Sequence, residues 1–187
     1  MIWTRLFNAP SHVPDHLHVV PYDPGWVTAF VAERTRLAEA LGPLARRIDH
    51  NGSTSVPGLA AKPVIDIQIS VDRLQPLDAY AAPLQTLGYT HLPHAEDDFV
   101  CPFFHRPATW PHTHHIHVVE HGGDEERRTL AFRDYLREHA DAKQAYADLK
   151  QQWAPQFSAN DQGAREAYAQ AKTEFIERII RLALAGE

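Results

Sequence analysis

Between His50 and Gln68 the chain places a hydroxyl-rich bend, Gly52-Ser53-Thr54-Ser55, in front of an apolar run that carries one carboxylate, Asp66. A Gly-Ser bend turns backbone N–H groups toward an anion, and the hydroxyls of Ser53, Thr54 and Ser55 add further donors. Asp66 stands among Val64, Ile65, Ile67 and Ile69. An acid in such a run is costly to bury unless a metal, a cation or a hydrogen-bond donor meets it. A phosphate held on one side and a metal-binding acid on the other is the outline of a nucleotidyl-transfer site. Lys62, just ahead of the run, either neutralises a phosphate or is a surface lysine. His50, just before the bend, either orients Ser53 or a ligand or simply ends a strand.

These residues need a scaffold, and the composition allows one. The 187 residues are enough for one domain with a sizeable core, and 44% are hydrophobic, as in ordinary globular proteins. With 18 Lys plus Arg against 24 Asp plus Glu, the formal charge of -6 argues against general nucleic-acid binding, while leaving room for a local basic patch; the partner expected from the bend is a small nucleotide or other anionic ligand. Cys101 is the lone cysteine, so an internal disulfide and a cysteine-based zinc site are both excluded. The N-terminal residues show no signal peptide, and no apolar run is long enough to span a bilayer; the cytoplasm is the expected compartment and no membrane partner is expected. Histidine is the unusual residue: of 13, eight fall between 91 and 121. Such clustering accompanies metal binding or proton handling, although polar loops also collect histidines.

Asp23-Pro24 reads as a helix N-cap followed by Pro in the first turn, and Trp26, Phe30, Leu37 and Leu41 recur at helical spacing, so an amphipathic helix is predicted over 24–41. A strand over 45–50 leads into the bend. Residues 63–71 form the clearest strand, with Ile65, Ile67, Ile69 and Val71 on one face and Val64, Asp66, Gln68 and Ser70 on the other. Asp66 and Gln68 then share a face, about 7 Å apart. A helix over 75–87 and strands over 89–91, 99–105 and 114–119 follow. The C-terminal third reads as helical, with stripes at Phe132, Tyr135 and Leu136 and at Tyr146, Leu149 and Trp153, and one long last helix from Ala164 to Leu182. Residues 1–15 are expected to be an irregular arm and 17–20 a short strand. One α/β (α+β) domain with a helical C-terminal part results.

The chain resembles the GrpB family, which is placed in the polymerase-β-like nucleotidyltransferase superfamily. The blocks are Val-Val-Pro-Tyr-Asp-Pro-Gly-Trp at 19–26, His-Asn-Gly-Ser-Thr-Ser-Val-Pro-Gly-Leu-Ala-Ala-Lys-Pro at 50–63, Val-Ile-Asp-Ile at 64–67, His-His-Ile-His-Val-Val at 114–119, Phe-Arg-Asp-Tyr-Leu-Arg at 132–137 and Tyr-Ala-Asp-Leu-Lys at 146–150. The resemblance implies a nucleotidyltransferase-like mixed β-sheet flanked by helices. It implies that the turn Gly52-Ser53 holds nucleotide phosphates, that Asp66 is the first metal-binding acid, and that a nucleoside triphosphate is the substrate. It favours a phosphate role for Lys62 and brings in Glu96 as a further ligand. The second acid position holds Gln68, and the strand around 115–119 offers histidines where a third acid would be expected. Some relatives are joined to a dephospho-coenzyme A kinase domain, which hints at nucleotide or coenzyme metabolism; this chain carries no Walker-type motif.

Two-metal chemistry needs acids, because Mg²⁺ is a hard cation that prefers oxygen. Asp66 with His115 and His117 would make a carboxylate–imidazole set better suited to Zn²⁺, Fe²⁺, Mn²⁺ or Ni²⁺, so the expected divalent ion is Mg, Mn or Zn. Alternatively, His115 and His117 are sheet-face residues hydrogen-bonded to neighbours. The functional expectation is a metal-dependent nucleotidyltransferase-like protein, with catalytic Asp66, Ser53 and Lys62 and a ligand shell of His50, Gly52, Ser53, Thr54, Ser55, Lys62, Gln68 and Glu96. The alternatives are a nucleotide- or metal-binding module without transfer and a His/Asp metal enzyme of another reaction class. The sequence does not specify an oligomeric state.

Overall fold

The computed structural model describes residues 18–93, 99–158 and 160–186. The expected N-terminal arm and Glu96 lie outside the described residues. The apolar run after the bend forms the strand β2 (Ile65–Val71). It pairs antiparallel with β1 (Arg47–Asn51) and, on its other side, parallel with a strand spanning His114–Glu120. Two short antiparallel strands, β3 (Thr90–Leu92) and β4 (Phe103–Arg106), complete the sheet beside that longer strand, β5. The order is β1-β2-β5-β4-β3, so the two strands that carry Asp66 and the His-x-His pair are central neighbours.

The alternation in β2 sorts the two faces of the sheet. Ile65, Ile67, Ile69 and Val71 join Phe104, Ile116 and Val118 in one core, packed against α1 (Gly25–Leu41) through Trp26, Phe30, Leu37 and Leu41 and against α2 (Asp78–Thr86) through Tyr80 and Leu84. The start of α1 is fixed by Asp23, whose Oδ1 accepts from the Gly25 N–H at 2.8 Å, as the expected cap requires. Glu33 breaks the apolar stripe of α1, yet only 4% of its surface is exposed. It is held by Arg106 at 2.9 and 3.0 Å, by Arg36 at 2.7 Å and by the Tyr89 hydroxyl at 3.0 Å. That knot ties α1 to the β3–β4 edge.

The helical C-terminal part covers the other side. α3 (Asp124–Glu138) and α4 (Ala140–Trp153) carry the two expected stripes, and Leu136, Tyr146 and Ile179 enclose Val56 and Leu59, the residues just after the bend. The single long last helix is instead two: α5 (Gln162–Gln170) and α6 (Thr173–Ala185). The halves bury their apolar residues in different places. Tyr168 packs with Trp110, Trp153 and Phe157, whereas Phe175, Ile176 and Ile179 pack with the α3–α4 stripes. The break at Ala171–Lys172 lets the chain serve both clusters. The expected strand at 17–20 is reduced to one bridge, Val20 to Ala61. Among the described residues no helix is long and apolar enough to cross a membrane.

Candidate functional site

The bend and the carboxylate meet through Gly52. It adopts φ 64° and ψ -171°, a region open essentially to glycine. A Cβ placed there would lie 2.3 Å from Oδ2 of Asp66 and 2.8 Å from its Cβ, so the missing side chain is what lets the acid lie against the turn. Strand register enforces the same closeness, since Asp66 is opposite Asn51 in β1 and opposite His115 in β5. The Asp66 side chain keeps 28% exposure and remains reachable from outside.

Four of the expected ligand residues do a different job. His50 points to the α1 face, stacked on Phe30 at 4.7 Å, and its Nε2 lies 3.0 Å from Oγ1 of Thr54. Burial pushes its imidazole down to about 4, so it is neutral at pH 7. Thr54 is buried and donates to the Val64 carbonyl at 3.2 Å, and Ser55 is buried and donates to the Gly52 carbonyl at 2.6 Å. Gln68 is fully buried, with Oε1 accepting from Asn51 at 3.2 Å and from Thr129 of α3 at 2.5 Å. These four side chains shape the turn and anchor α3 rather than face a ligand. Arg137 reinforces the turn with two hydrogen bonds to the Ser55 carbonyl, 3.1 and 2.9 Å, and Arg133 holds the His50 carbonyl at 3.1 Å. Both arginines line a concavity of about 310 Å³ bounded by α1, β1 and α3, with Phe30, Asp49 and His50 among its other walls.

Gly52, Ser53, Lys62, Asp66 and His115 do come together. His115 Nδ1 lies 3.3 Å from Asp66 Oδ1, and its Nε2 lies 3.0 Å from Nδ1 of His112. An ionised carboxylate only accepts, so His115 carries its proton on Nδ1 and accepts from His112 on Nε2. Burial pushes the Asp66 carboxyl up, but the hydrogen bond from His115 and the nearby Lys62 ammonium outweigh it and hold the group below the usual range. His112 is pushed down to about 3 by burial and by His105 and His115, and His117 is lowered by burial.

This arrangement does not fit the metal set expected from the sequence. Both ring nitrogens of His115 are engaged, His117 Nδ1 faces Cys101 Sγ at 3.8 Å, and Gln68 is sealed inside. Among the described residues no three His, Cys, Asp or Glu side chains are grouped to hold an ion. Cations take the place of further acids. Lys150 and Lys172 feel both Asp66 and Lys62, and burial pushes each down to about 7. Burial also lowers Lys62.

Lys150, Lys172, Tyr146 and Tyr168 were not among the residues expected from the sequence. Lys150 Nζ sits 4.7 Å from the Tyr146 ring centroid and Lys172 Nζ 4.1 Å from that of Tyr168. Each lysine follows its tyrosine by four residues, which puts both on the inward stripe. That Tyr-x-x-x-Lys spacing, present twice, is the signal that could have found them. Tyr146 also lies beside Ser53. Asp66 and His115 thus lie beside Gly52, with His112 and Trp110 next to His115 and the lysines of the helical part acting on Asp66.

Comparison with known proteins identifies the family. The GrpB protein family model matches residues 16–182. A UPF0157 protein of Pseudomonas aeruginosa is 37% identical over 179 residues, covering 92% of this chain and 69% of that protein. A protein named dephospho-CoA kinase from Mycolicibacterium paratuberculosis is 34% identical over 157 residues, which is 72% of this chain but 39% of the kinase. The crystal structure of the conserved protein GrpB from Enterococcus faecalis superposes with a TM-score of 0.74 at 31% identity, covering 90% of this chain and 98% of that one. The chain belongs to the GrpB family.

Proposed function

We propose that this chain binds a nucleotide, or a closely related phosphate-bearing small molecule, in the cleft between the Gly52–Ser53 turn and Asp66, and that nucleotidyl transfer is its reaction. The observation that supports this reading is the close approach of Gly52 to the Asp66 carboxylate, which sets a turn suited to anions beside an acid. The N–H groups of the turn and the Ser53 hydroxyl grip phosphate oxygens, and Lys62 offsets their charge. The oxygen of an acceptor hydroxyl attacks the α-phosphorus, the α–β P–O bond breaks, and pyrophosphate leaves with the bonding pair. The hydroxyl proton passes to a carboxylate oxygen of Asp66, which His115 holds in place through its Nδ1. Catalysis is positioning and charge neutralisation, with no covalent intermediate. The donor set gives no ground for routing a step through a bound metal.

A binding module without transfer is the second reading, favoured by Gln68: the position of a second acid is occupied by an amide already committed to Asn51 and Thr129. A thermal-shift screen of nucleotides, each with and without Mg²⁺, Mn²⁺ or Zn²⁺, followed by product analysis, separates the two. Stabilisation by a nucleoside triphosphate with release of pyrophosphate that Asp66→Asn abolishes supports transfer. Stabilisation without turnover supports the binding module. No stabilisation by any phosphate compound overturns both.

A further inference from the structure

We infer that Lys62, Lys150 and Lys172 form a polyphosphate seat against Tyr168, that this seat neutralises the ligand in place of divalent metal, and that the ligand class is therefore a compound with two or more linked phosphates. The inference rests on the reading that the cleft takes a phosphate-bearing ligand, and it specifies which part of that ligand is held and by what.

The three ammonium groups converge from separate parts of the chain. Lys62 precedes β2, Lys150 is on α4 and Lys172 lies at the α5–α6 break. Lys62 and Lys172 share one ring, with Nζ atoms 5.4 and 4.1 Å from the Tyr168 centroid. Lys150 is 3% exposed and reaches the Ala60 carbonyl at 2.5 Å. Among the described residues none of the three is ion-paired to a carboxylate, and Asp66 is the acid whose charge all three feel. Like charges driven together and withdrawn from water are costly, and a fold keeps such a group when a multivalent anion occupies it. Lysine, a compact point charge with three donors, suits phosphate oxygens.

A second observation points the same way. The Tyr168 hydroxyl and the Trp110 indole N–H are buried with no hydrogen-bond partner, and the two residues pack in one cluster beside the lysines. Unsatisfied buried polar groups are rare, and each calls for a partner. The indole N–H can only donate and the phenol hydroxyl can donate, so a partner rich in acceptors satisfies both. A chain of phosphates supplies oxygens along its length. A single phosphate on the Gly52–Ser53 turn would leave these donors unsatisfied.

Calorimetric titration of the full chain with orthophosphate, pyrophosphate and tripolyphosphate in EDTA tests the proposal. The expected result is tripolyphosphate binding at least tenfold tighter than orthophosphate, unchanged within twofold by replacing EDTA with Mg²⁺. Lys172→Gln and Lys150→Gln should each weaken tripolyphosphate tenfold or more, and Lys172→Arg should restore most of the loss. Asp66→Asn should tighten it, because it removes the acid that repels the anion. Thermal melts of each variant establish that it is folded, and the Lys172→Arg rescue keeps the test valid should one glutamine variant fail to fold. Tripolyphosphate binding that requires Mg²⁺, or folded lysine variants that bind as the parent does, would overturn the seat while leaving the turn reading intact. Failure of any phosphate compound or nucleotide to bind, with or without metal, overturns the turn reading and the seat together.

Discussion

Two carboxylates sit on opposite faces of the same sheet, and their surroundings differ in kind. Glu33 is met by two guanidinium groups and a phenol at hydrogen-bond distance. Burial alone would raise its carboxyl, but Arg106 and Arg36 bring it below the usual range. Asp66 has one imidazole at 3.3 Å and lysines that act on it through space. Glu33 is 5% exposed at its side chain and Asp66 28%. A closed shell of donors holds a fold together, whereas an open one leaves room for a ligand. Around Glu33 the donors reach the carboxylate oxygens at hydrogen-bond distance, and Arg106 binds it bidentately. Around Asp66 positive charge exceeds negative, and buried donors lack acceptors. The contrast sets a closed, internally satisfied polar group against the open one proposed as the site.

The largest expected effect breaks the closed side. Glu33→Ala leaves Arg106 without its carboxylate and should destabilise the fold by about 3 kcal/mol, read by urea denaturation. Asp66→Asn, by contrast, should change stability by less than about 1 kcal/mol while abolishing transfer. Equal destabilisation by the two would erase the distinction. Next comes Gly52→Ala. Its strained φ and its collision with Asp66 should cost about 2 kcal/mol and weaken nucleotide binding beyond detection, measured by melting and titration. Binding that survives in Gly52→Ala would show that the turn is not the phosphate site.

Local patterns made much of this legible beforehand. The alternation in 63–71 marked the strand and put Asp66 on the face opposite the core, and the spacings of four and seven among Trp26, Phe30, Leu37 and Leu41 marked α1. What escaped was decided by tertiary contact. Thr54, Ser55 and Gln68 carry the same donors and acceptors whether they face a ligand or a neighbour, and only the packing of Val64, Gly52, Asn51 and Thr129 around them decides which. Lys150 and Lys172 look like solvent-facing helix residues until the α5–α6 break folds the second over Tyr168. The pairing of His115 with Asp66 followed from two strands far apart in sequence becoming parallel neighbours, while the ligand set drawn from spacing alone placed a metal where the ring nitrogens are already engaged.

A smaller effect sharpens the comparison on the open side. A half-buried lysine without an acid partner should cost the empty protein stability. Lys172→Met should therefore stabilise it by about 1 kcal/mol, a rise of roughly 2–4 °C in Tm for a chain of this size, while reducing polyphosphate affinity. The corresponding change on the closed side, Arg106→Met, should be destabilising, since it abandons Glu33.

The gentlest test is pH. Lys150 and Lys172 are depressed to about 7 in the folded protein, first by burial and then by the neighbouring lysines, against an ordinary value of 10.5. The facing groups are Lys62, Asp66, Tyr146, Tyr168 and Arg165; the phenols are raised by burial and stay neutral across the range. Between pH 7 and 10.5 the unfolded chain holds more protons than the folded one at these two positions, so their contribution makes stability rise with pH there. Below pH 7 both states are protonated and the penalty is constant. The parent should therefore gain stability relative to the double variant Lys150→Met/Lys172→Met as pH goes from 7 to 9, by at most about 1.4 kcal/mol per unit for each lysine. Tripolyphosphate reverses the sign. It favours the ammonium form, takes up protons on binding near neutrality, and should bind progressively more weakly above pH 7. Titration in two buffers of different ionisation enthalpy reads that uptake directly. Zero uptake at pH 7.5 would mean that the lysines are already charged in the empty cleft, and the open side would then resemble the closed one more than the geometry indicates.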